Sequence, residues 1–316
     1  MPSAPSTIDP QWTLAHLSLL SEFSKRRPAE PALPGHWADR WREALGESEE
    51  QAIRRFVEAG LLTRCSLSER LDWKVRYVEL KQMLKERGLK LSGNKVQLIE
   101  RLCQADPKGM ETAVAGVNLL RCSEAGQDLA SSFIASREHM RNAALNALCE
   151  GELDSAVRTV CDFHDALGFP EDLFFPTKPN LSDLRRAFSV RPTILAGVTD
   201  ETLEELRVAA GMAFLGLGTD WLPDNFETGI RLKGDAAVRM IISRVQNERN
   251  MQAWLESGLV KTIKVLCSQD GPCEACSALS NRAWQIESLP EIPYMHCTSE
   301  QGCRCVCVAD SIESGR

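Results

Sequence analysis

Apolar positions recur at helical spacing along most of this chain. In residues 12–25, WTLAHLSLLSEFSK, they fall at 12, 14, 17, 19, 20 and 23, which predicts a short helix. From Trp37 to Gly60 the pattern places Trp37, Trp41, Ala44 and Leu45, then Ile53, Phe56 and Val57, on core faces. The polar run EALGESEE in the middle predicts a solvated break between two helices. Helix formers dominate again from 111 to 168, with a division expected at Gly126 and a turn at 149–152. The segment ALNALCEGELDSAVRTVCDFHDALG predicts an antiparallel helix pair, because Ala143, Ala144, Ala147 and Ala156 allow close approach. Further helices are predicted at 182–188, 200–215 and 234–257. Asp200 is the expected N-cap of the second, and Gly216 and Gly218 its stop. Only LVKTIKVLC, 259–267, alternates convincingly as a strand.

Three stretches interrupt the periodicity. RRPAEPALPGHW and PEDLFFPTKPN, at 170–180, are proline-rich and read as linkers, and DPKG at 106–109 is a breaker. The expected organisation is a mainly α, multi-module protein. Its parts are a helical N-terminal region (1–71), a helix–turn–helix unit (72–106), a helical region with the antiparallel hairpin (111–168), a second helical region (180–257) and a cysteine-rich module with short β-strands (258–310).

The chain has 316 residues and a net charge of −7, so no global basic field exists to hold nucleic acid, and any such binding must come from a local patch. Its N-terminus lacks the pattern of a signal peptide and no apolar run is long enough to span a bilayer, so the expectation is a cytosolic protein with no membrane contact.

A local patch exists. Residues 72–102 hold Lys74, Arg76, Lys81, Lys85, Arg87, Lys90, Lys95 and Arg101 against Asp72, Glu79, Glu86 and Glu100, eight positive charges against four negative. Val78, Leu80, Leu84, Leu98, Ile99 and Leu102 supply an apolar core, with Leu89 and Leu91 plugging it from the turn. Gly88 is placed to stop the first helix and Ser92 to cap the second. The string VELKQMLKERGLKLSGNKVQLIERL resembles the SAP domain, a helix–extended turn–helix DNA-binding module. The match runs from the Leu-Lys start through Arg-Gly-Leu and Ser-Gly-x-Lys to Leu-Ile-x-Arg-Leu, over about a tenth of the chain. The resemblance implies binding to double-stranded DNA, through Lys90, Ser92, Gly93, Asn94 and Lys95 at the turn with Arg87 and Arg101 flanking. Basic side chains would neutralise phosphates while the glycine lets the backbone approach them. No residue set suits base reading, so weak sequence preference is expected. The alternative is a helical hairpin with solvated charges that binds another protein.

Of the 12 cysteines, seven lie between 267 and 307, where their spacing in a reduced compartment reads as metal binding. Cys273 and Cys276 form a CxxC, expected on a turn directly after the strand, a usual half-site for zinc. The second half-site comes from Cys297, Cys303 and Cys305. The preferred set is Cys273, Cys276, Cys297 and Cys303, with Cys305 the competitor and His296 a neighbouring donor. Cys267 and Cys307 are expected on strands as small apolar groups. A full thiolate count points to structural zinc. A deaminase would pair PCEAC with an upstream His-x-Glu, and none of the five histidines stands in one. The order of strand, CxxC, proline-rich turn and Gly-Cys-Arg-Cys also resembles, over about 45 residues, the C-terminal part of phage head-morphogenesis (minor capsid) proteins.

No Walker loop, dinucleotide glycine pattern, GxSxG elbow or HExxH is present, and the sequence names no catalytic set. The preferred expectation is a non-catalytic DNA-binding protein with structural zinc, whose helical middle serves assembly or a protein partner. The alternatives are a phage-like structural protein and a nucleic-acid-processing enzyme.

Overall fold

A computed structural model describes residues 11–30, 35–169, 179–268, 271–280 and 282–312. The chain divides into two compact units, Met1–Glu138 with His164–Pro170, and His139–Phe163 with Glu171–Arg316. Among the described residues the fold is mainly α, with two small antiparallel sheets. No helix among them is long and apolar enough to cross a membrane. Most of the second proline-rich linker, and the side chain of Trp37, lie outside the described residues.

The first unit begins α1 (Leu14–Glu22), β1 (Arg27–Pro28), α2 (Gly35–Leu45), α3 (Glu49–Glu58), β2 (Leu62–Arg64) and α4 (Leu67–Lys74). It continues α5 (Tyr77–Glu86), α6 (Lys95–Ala105), α7 (Pro107–Ala113), β3 (Leu119–Cys122) and α8 (Glu124–Cys149, up to Glu138, the rest belonging to the second unit). The expected break between α2 and α3 is present. Ser48 caps α3, accepting from the Gln51 amide at 3.2 Å while Gln51 Oε1 accepts from Ser48 N at 2.9 Å. Trp12 packs on Phe56 with ring centroids 4.9 Å apart, and Trp41 meets Phe169 edge-on at 4.8 Å. β3 lies between β1 and β2, closing a small sheet that the sequence pattern does not show, since its strands have only two to four residues.

Gly126 does not divide a helix pair. It stands in the first turn of α8, which runs unbroken to Cys149, and a Cβ there would collide with the Leu61 carbonyl. Its role is close approach between the helix and the backbone just before β2.

The second unit holds α9 (Leu153–Leu167, up to Phe163), α10 (Leu181–Ser189), α11 (Asp200–Phe214), α12 (Gly234–Ser257), β4 (Val260–Leu266), α13 (Glu274–Ser280), β5 (Ala283–Trp284) and β6 (Val306–Ile312). The alanine-rich hairpin forms, with Ala144, Ala147 and Ala156 buried beside Leu184 and Met212. Thr199, not Asp200, caps α11, its Oγ1 accepting from Thr202 N at 3.2 Å. Asp200 instead pairs with Arg191. β4 is the central strand, between β5 and β6, with Ile263 and Val265 fully buried. The buried residues of α11, α12 and this sheet form one continuous cluster that includes Cys276, Cys297, Cys303, Cys305 and Cys307.

Candidate nucleic-acid interface and metal centre

The helix–turn–helix unit is built from a short list of leucines. Leu80 and Leu84 of α5 meet Leu98, Ile99 and Leu102 of α6, all buried. A core this small stabilises only marginally by itself. The neighbouring helices enlarge it: Leu71 and Val75 come from the α4 side, and Met110 and Val114 from the α7 side. Two expected core residues are not there. Val78 is 75% exposed and Leu91 39% exposed, while Leu89 does pack against the cluster. Val78 follows Tyr77 on the outward face of α5, where helical geometry turns it away from Leu80 and Leu84.

The turn between the helices is set by hydrogen bonds. Gly88 takes φ 66° where α5 stops, as expected of a glycine after the C-cap. Asn94, rather than Ser92, caps α6: its Oδ1 accepts from Gln97 N at 3.0 Å, and Gln97 Oε1 accepts from Asn94 N at 3.1 Å. The helix begins at Lys95, so Ser92 stands too far upstream. Gly93 holds φ 129°, and a Cβ there would lie 2.6 Å from Gln97 Oε1. Gly93→Ala is therefore expected to cost about 1–2 kcal/mol through backbone strain and loss of the cap. The check is faster hydrogen exchange along α6 in the intact chain; unchanged protection would remove the argument.

The basic residues sort into two kinds. Arg87 donates to Asp106 Oδ2 at 2.7 and 3.0 Å and to the Met83 carbonyl at 3.0 Å. Lys95 Nζ lies 3.1 Å from Asp72 Oδ1 and donates to the Asp72 carbonyl. Arg101 reaches back to the carbonyls of Lys90 and Ser92. Arg101 thus holds the turn, Arg87 ties the end of α5 to the α6–α7 junction, and Lys95 ties α6 to α4. Lys90, Ser92, Gly93 and Asn94 are exposed at its surface.

Asp72 links pH to this region. Burial by itself would raise its pKa, but hydrogen bonds from Lys95 and Arg26 outweigh burial and hold it below its ordinary value. A depressed folded pKa means that the pairing stabilises fully above the unfolded value of about 3.9 and is lost as pH falls through the folded one. Protection of α6 amides should fall below about pH 4, and Asp72→Asn should flatten that dependence. An identical acid profile in the variant would contradict this.

Exposed apolar side chains crowd the same unit: Trp73 at 51%, Tyr77 at 39% and Val96 at 60%, besides Val78 and Leu91. Tyr77 lies against the turn, its hydroxyl donating to the Gly93 carbonyl at 2.9 Å, and Lys81 Nζ sits 4.7 Å from its ring centroid. Sequence reasoning missed Trp73 and Tyr77. Their signal was an aromatic pair amid basic residues, which periodicity alone does not separate from core.

In the second unit, α12 and the sheet position the cysteines. Cys273 precedes α13 and Cys276 lies in its first turn, so the CxxC opens a helix instead of forming the expected turn. The Gly302–Cys303 loop packs on α12. Cys303 N donates to Met240 Sδ at 3.2 Å, and a Cβ on Gly302 would come within 2.7 Å of Met240 Cε. Cys273, Cys276 and Cys297 bring their sulfurs within 4.8 Å of one another, and so do Cys276, Cys303 and Cys305. The Cys273–Cys297 and Cys276–Cys303 separations are 3.9 and 4.0 Å. A tetrahedral ion with sulfur at about 2.3 Å sets its ligands about 3.8 Å apart. The thiols therefore fit a metal ion of this kind. His296 belongs to neither group; its ring packs against Tyr294 at 5.3 Å.

Electrostatics separate these thiols. Burial alone would raise Cys273, but amide hydrogen bonds from Thr298 and Cys276 bring it down to about 6. Cys303 also falls to about 6, chiefly through its hydrogen bond with Cys305. Burial pushes Cys276 and Cys297 up, and the hydrogen bond with Cys303 pushes Cys305 up. Two ready thiolates beside three reluctant ones is a donor set that a cation would deprotonate further. Cys307 is a buried apolar thiol on β6, as expected, with its pKa raised to about 11 by burial. Cys267 departs from expectation. It lies just past β4, its Sγ 3.4 Å from Cys305 Sγ and donating to the Cys276 carbonyl at 3.0 Å. Continuing the Leu266↔Val306 register by one residue sets Cys267 opposite Cys305.

Residues 74–107 match the family model of the SAP domain, and this chain carries a SAP domain there, a class that implies nucleic-acid binding. No curated protein and no solved structure matches the chain, and the likeness to phage head-morphogenesis proteins gains no support.

Proposed function

We propose that this chain is a DNA-tethering protein: its SAP domain holds double-stranded DNA with little sequence preference, and its C-terminal cysteines hold structural zinc. The observation that carries the reading is the exposed turn, Lys90 to Asn94, inside a matched SAP domain in a chain of net charge −7. Lys90 supplies charge to a phosphate, Ser92 and Asn94 supply polar side chains, and the Gly93 backbone can approach closely. Arg101 keeps that turn in shape, while Arg87 and Lys95 fix the helices that flank it. With contacts mainly to phosphate, duplexes of unrelated sequence should bind within a few-fold of one another, and single strands should compete less well.

The zinc is assigned to Cys273, Cys276, Cys297 and Cys303. Cys273, Cys276 and Cys297 share one sulfur group, and Cys303, 4.0 Å from Cys276 but outside that group, is the fourth ligand; soft sulfur donors match zinc better than a hard cation, which prefers oxygen. A closed thiolate shell makes its role structural. The remaining helices of the second unit would carry assembly or a protein contact. The test is competition binding with duplexes of different sequence and with single strands, together with elemental analysis of reduced protein. Strong preference for one duplex or for single strands would overturn the DNA reading, and absence of zinc the metal reading.

A further inference from the structure

From the sulfur geometry we infer that the cysteine centre holds two metal ions, not one, sharing thiolates. The inference rests on the zinc reading above and extends it. The two metal-binding groups are not separate: Cys276 belongs to both. Cys303 stands 4.0 Å from Cys276, and Cys267, outside both groups, stands 3.4 Å from Cys305. Six sulfurs thus form one continuous cluster: Cys297 and Cys273, then Cys276 and Cys303, then Cys305 and Cys267. Five of these cysteines, Cys267, Cys273, Cys276, Cys297 and Cys305, line a cavity of about 20 Å³.

Two tetrahedral ions need eight coordination positions. Six thiolates supply eight if two of them bridge. Cys276, shared by both groups, takes one bridging place, and Cys303, which stands beside Cys276 but outside the group of Cys273 and Cys297, takes the other by closing on them as the first ion binds. The first ion then has Cys273 and Cys297 as terminal ligands, and the second Cys267 and Cys305. Charge does not oppose the pair. Each thiol releases its proton on binding, so six thiolates against two divalent ions leave −2, the same residual charge as four thiolates on one ion. The ligand class is a divalent, thiophilic d¹⁰ ion, zinc in the cell and cadmium as its probe.

The experiment is metal stoichiometry of the intact chain, purified under reducing conditions and saturated with zinc, then exchanged with ¹¹³Cd for NMR. The expected result is two ions per chain, two cadmium resonances, and correlations from both to the Hβ protons of Cys276. In the Cys267→Ser, Cys305→Ser double variant the content should fall to one ion while the first resonance persists. One ion per chain in the unmodified protein overturns the inference and leaves the zinc reading standing; no ion overturns both. Two ions that survive the double variant overturn the assignment of Cys267 and Cys305.

Discussion

Replacing Cys276 by serine should strip the C-terminal centre of metal and loosen the sheet around it. Cys276 is 3% exposed and is the one cysteine common to both sulfur groups. Serine is a poor ligand for a thiophilic ion, and the change leaves the remaining thiols facing one another without a cation. Structural zinc in small thiolate sites contributes on the order of 10 kcal/mol of apparent binding energy, most of it realised as folding energy. The cysteines here are continuous with the cluster holding Ile263, Val265 and Trp284, so the loss should reach β4. The measurement is metal content alongside hydrogen exchange of β4 amides, with Cys149→Ser, an exposed cysteine elsewhere in the unit, as the control. Chelation of the unmodified protein should reproduce the loss of protection. Full metal retention by Cys276→Ser, or unchanged β4 protection after chelation, would contradict the assignment.

The second large effect separates the two kinds of basic residue at the turn. Lys90→Glu should weaken duplex binding by about tenfold at low salt, since it removes one phosphate contact and adds a repulsive charge, and it should leave the fold intact. Lys95→Gln should act differently. Lys95 Nζ lies 3.1 Å from Asp72 Oδ1, so its loss opens the joint between α4 and α6 and speeds exchange of α6 amides, with weaker binding as a consequence. Arg87→Gln should resemble Lys95→Gln, because its guanidinium is committed to Asp106 and Met83. If Lys95→Gln weakened binding with no change in α6 protection, Lys95 would be a direct contact and the division would fail. If Lys90→Glu bound as well as the parent, the exposed turn would not be the contact.

How far the sequence reached depends on the range of the interactions involved. The SAP domain was legible because its core is local: Leu80, Leu84, Leu98 and Leu102 recur at helical spacing within some 20 residues, and Gly88 marks the stop between them. The helix break at 46–48 and the alanine hairpin were legible for the same reason. Val78 and Leu91 were misplaced because composition cannot say which apolar residues a two-helix unit leaves outside. The cap moved from Ser92 to Asn94 because both are good capping residues, and only the reciprocal bond with Gln97 decides between them. The roles of Arg87, Lys95 and Arg101 were hidden because each is spent on a group 4 to 23 residues away in sequence. At the candidate metal centre, the thiols stood out by spacing, but Cys267 did not. Its place beside Cys305 follows from the antiparallel register of β4 and β6, across 38 residues. Short strands such as β1 and β5, two residues each, carry no periodicity to read.

The most direct test of the DNA-tethering account is a titration of labelled duplex with the intact chain across salt concentrations. If the SAP turn and its surroundings neutralise three to five phosphates, log affinity should fall with log salt at a slope of about −3 to −4.5, and Lys90→Glu should make that slope shallower by about one. Binding that is absent at low salt, or insensitive to both salt and Lys90→Glu, would contradict it.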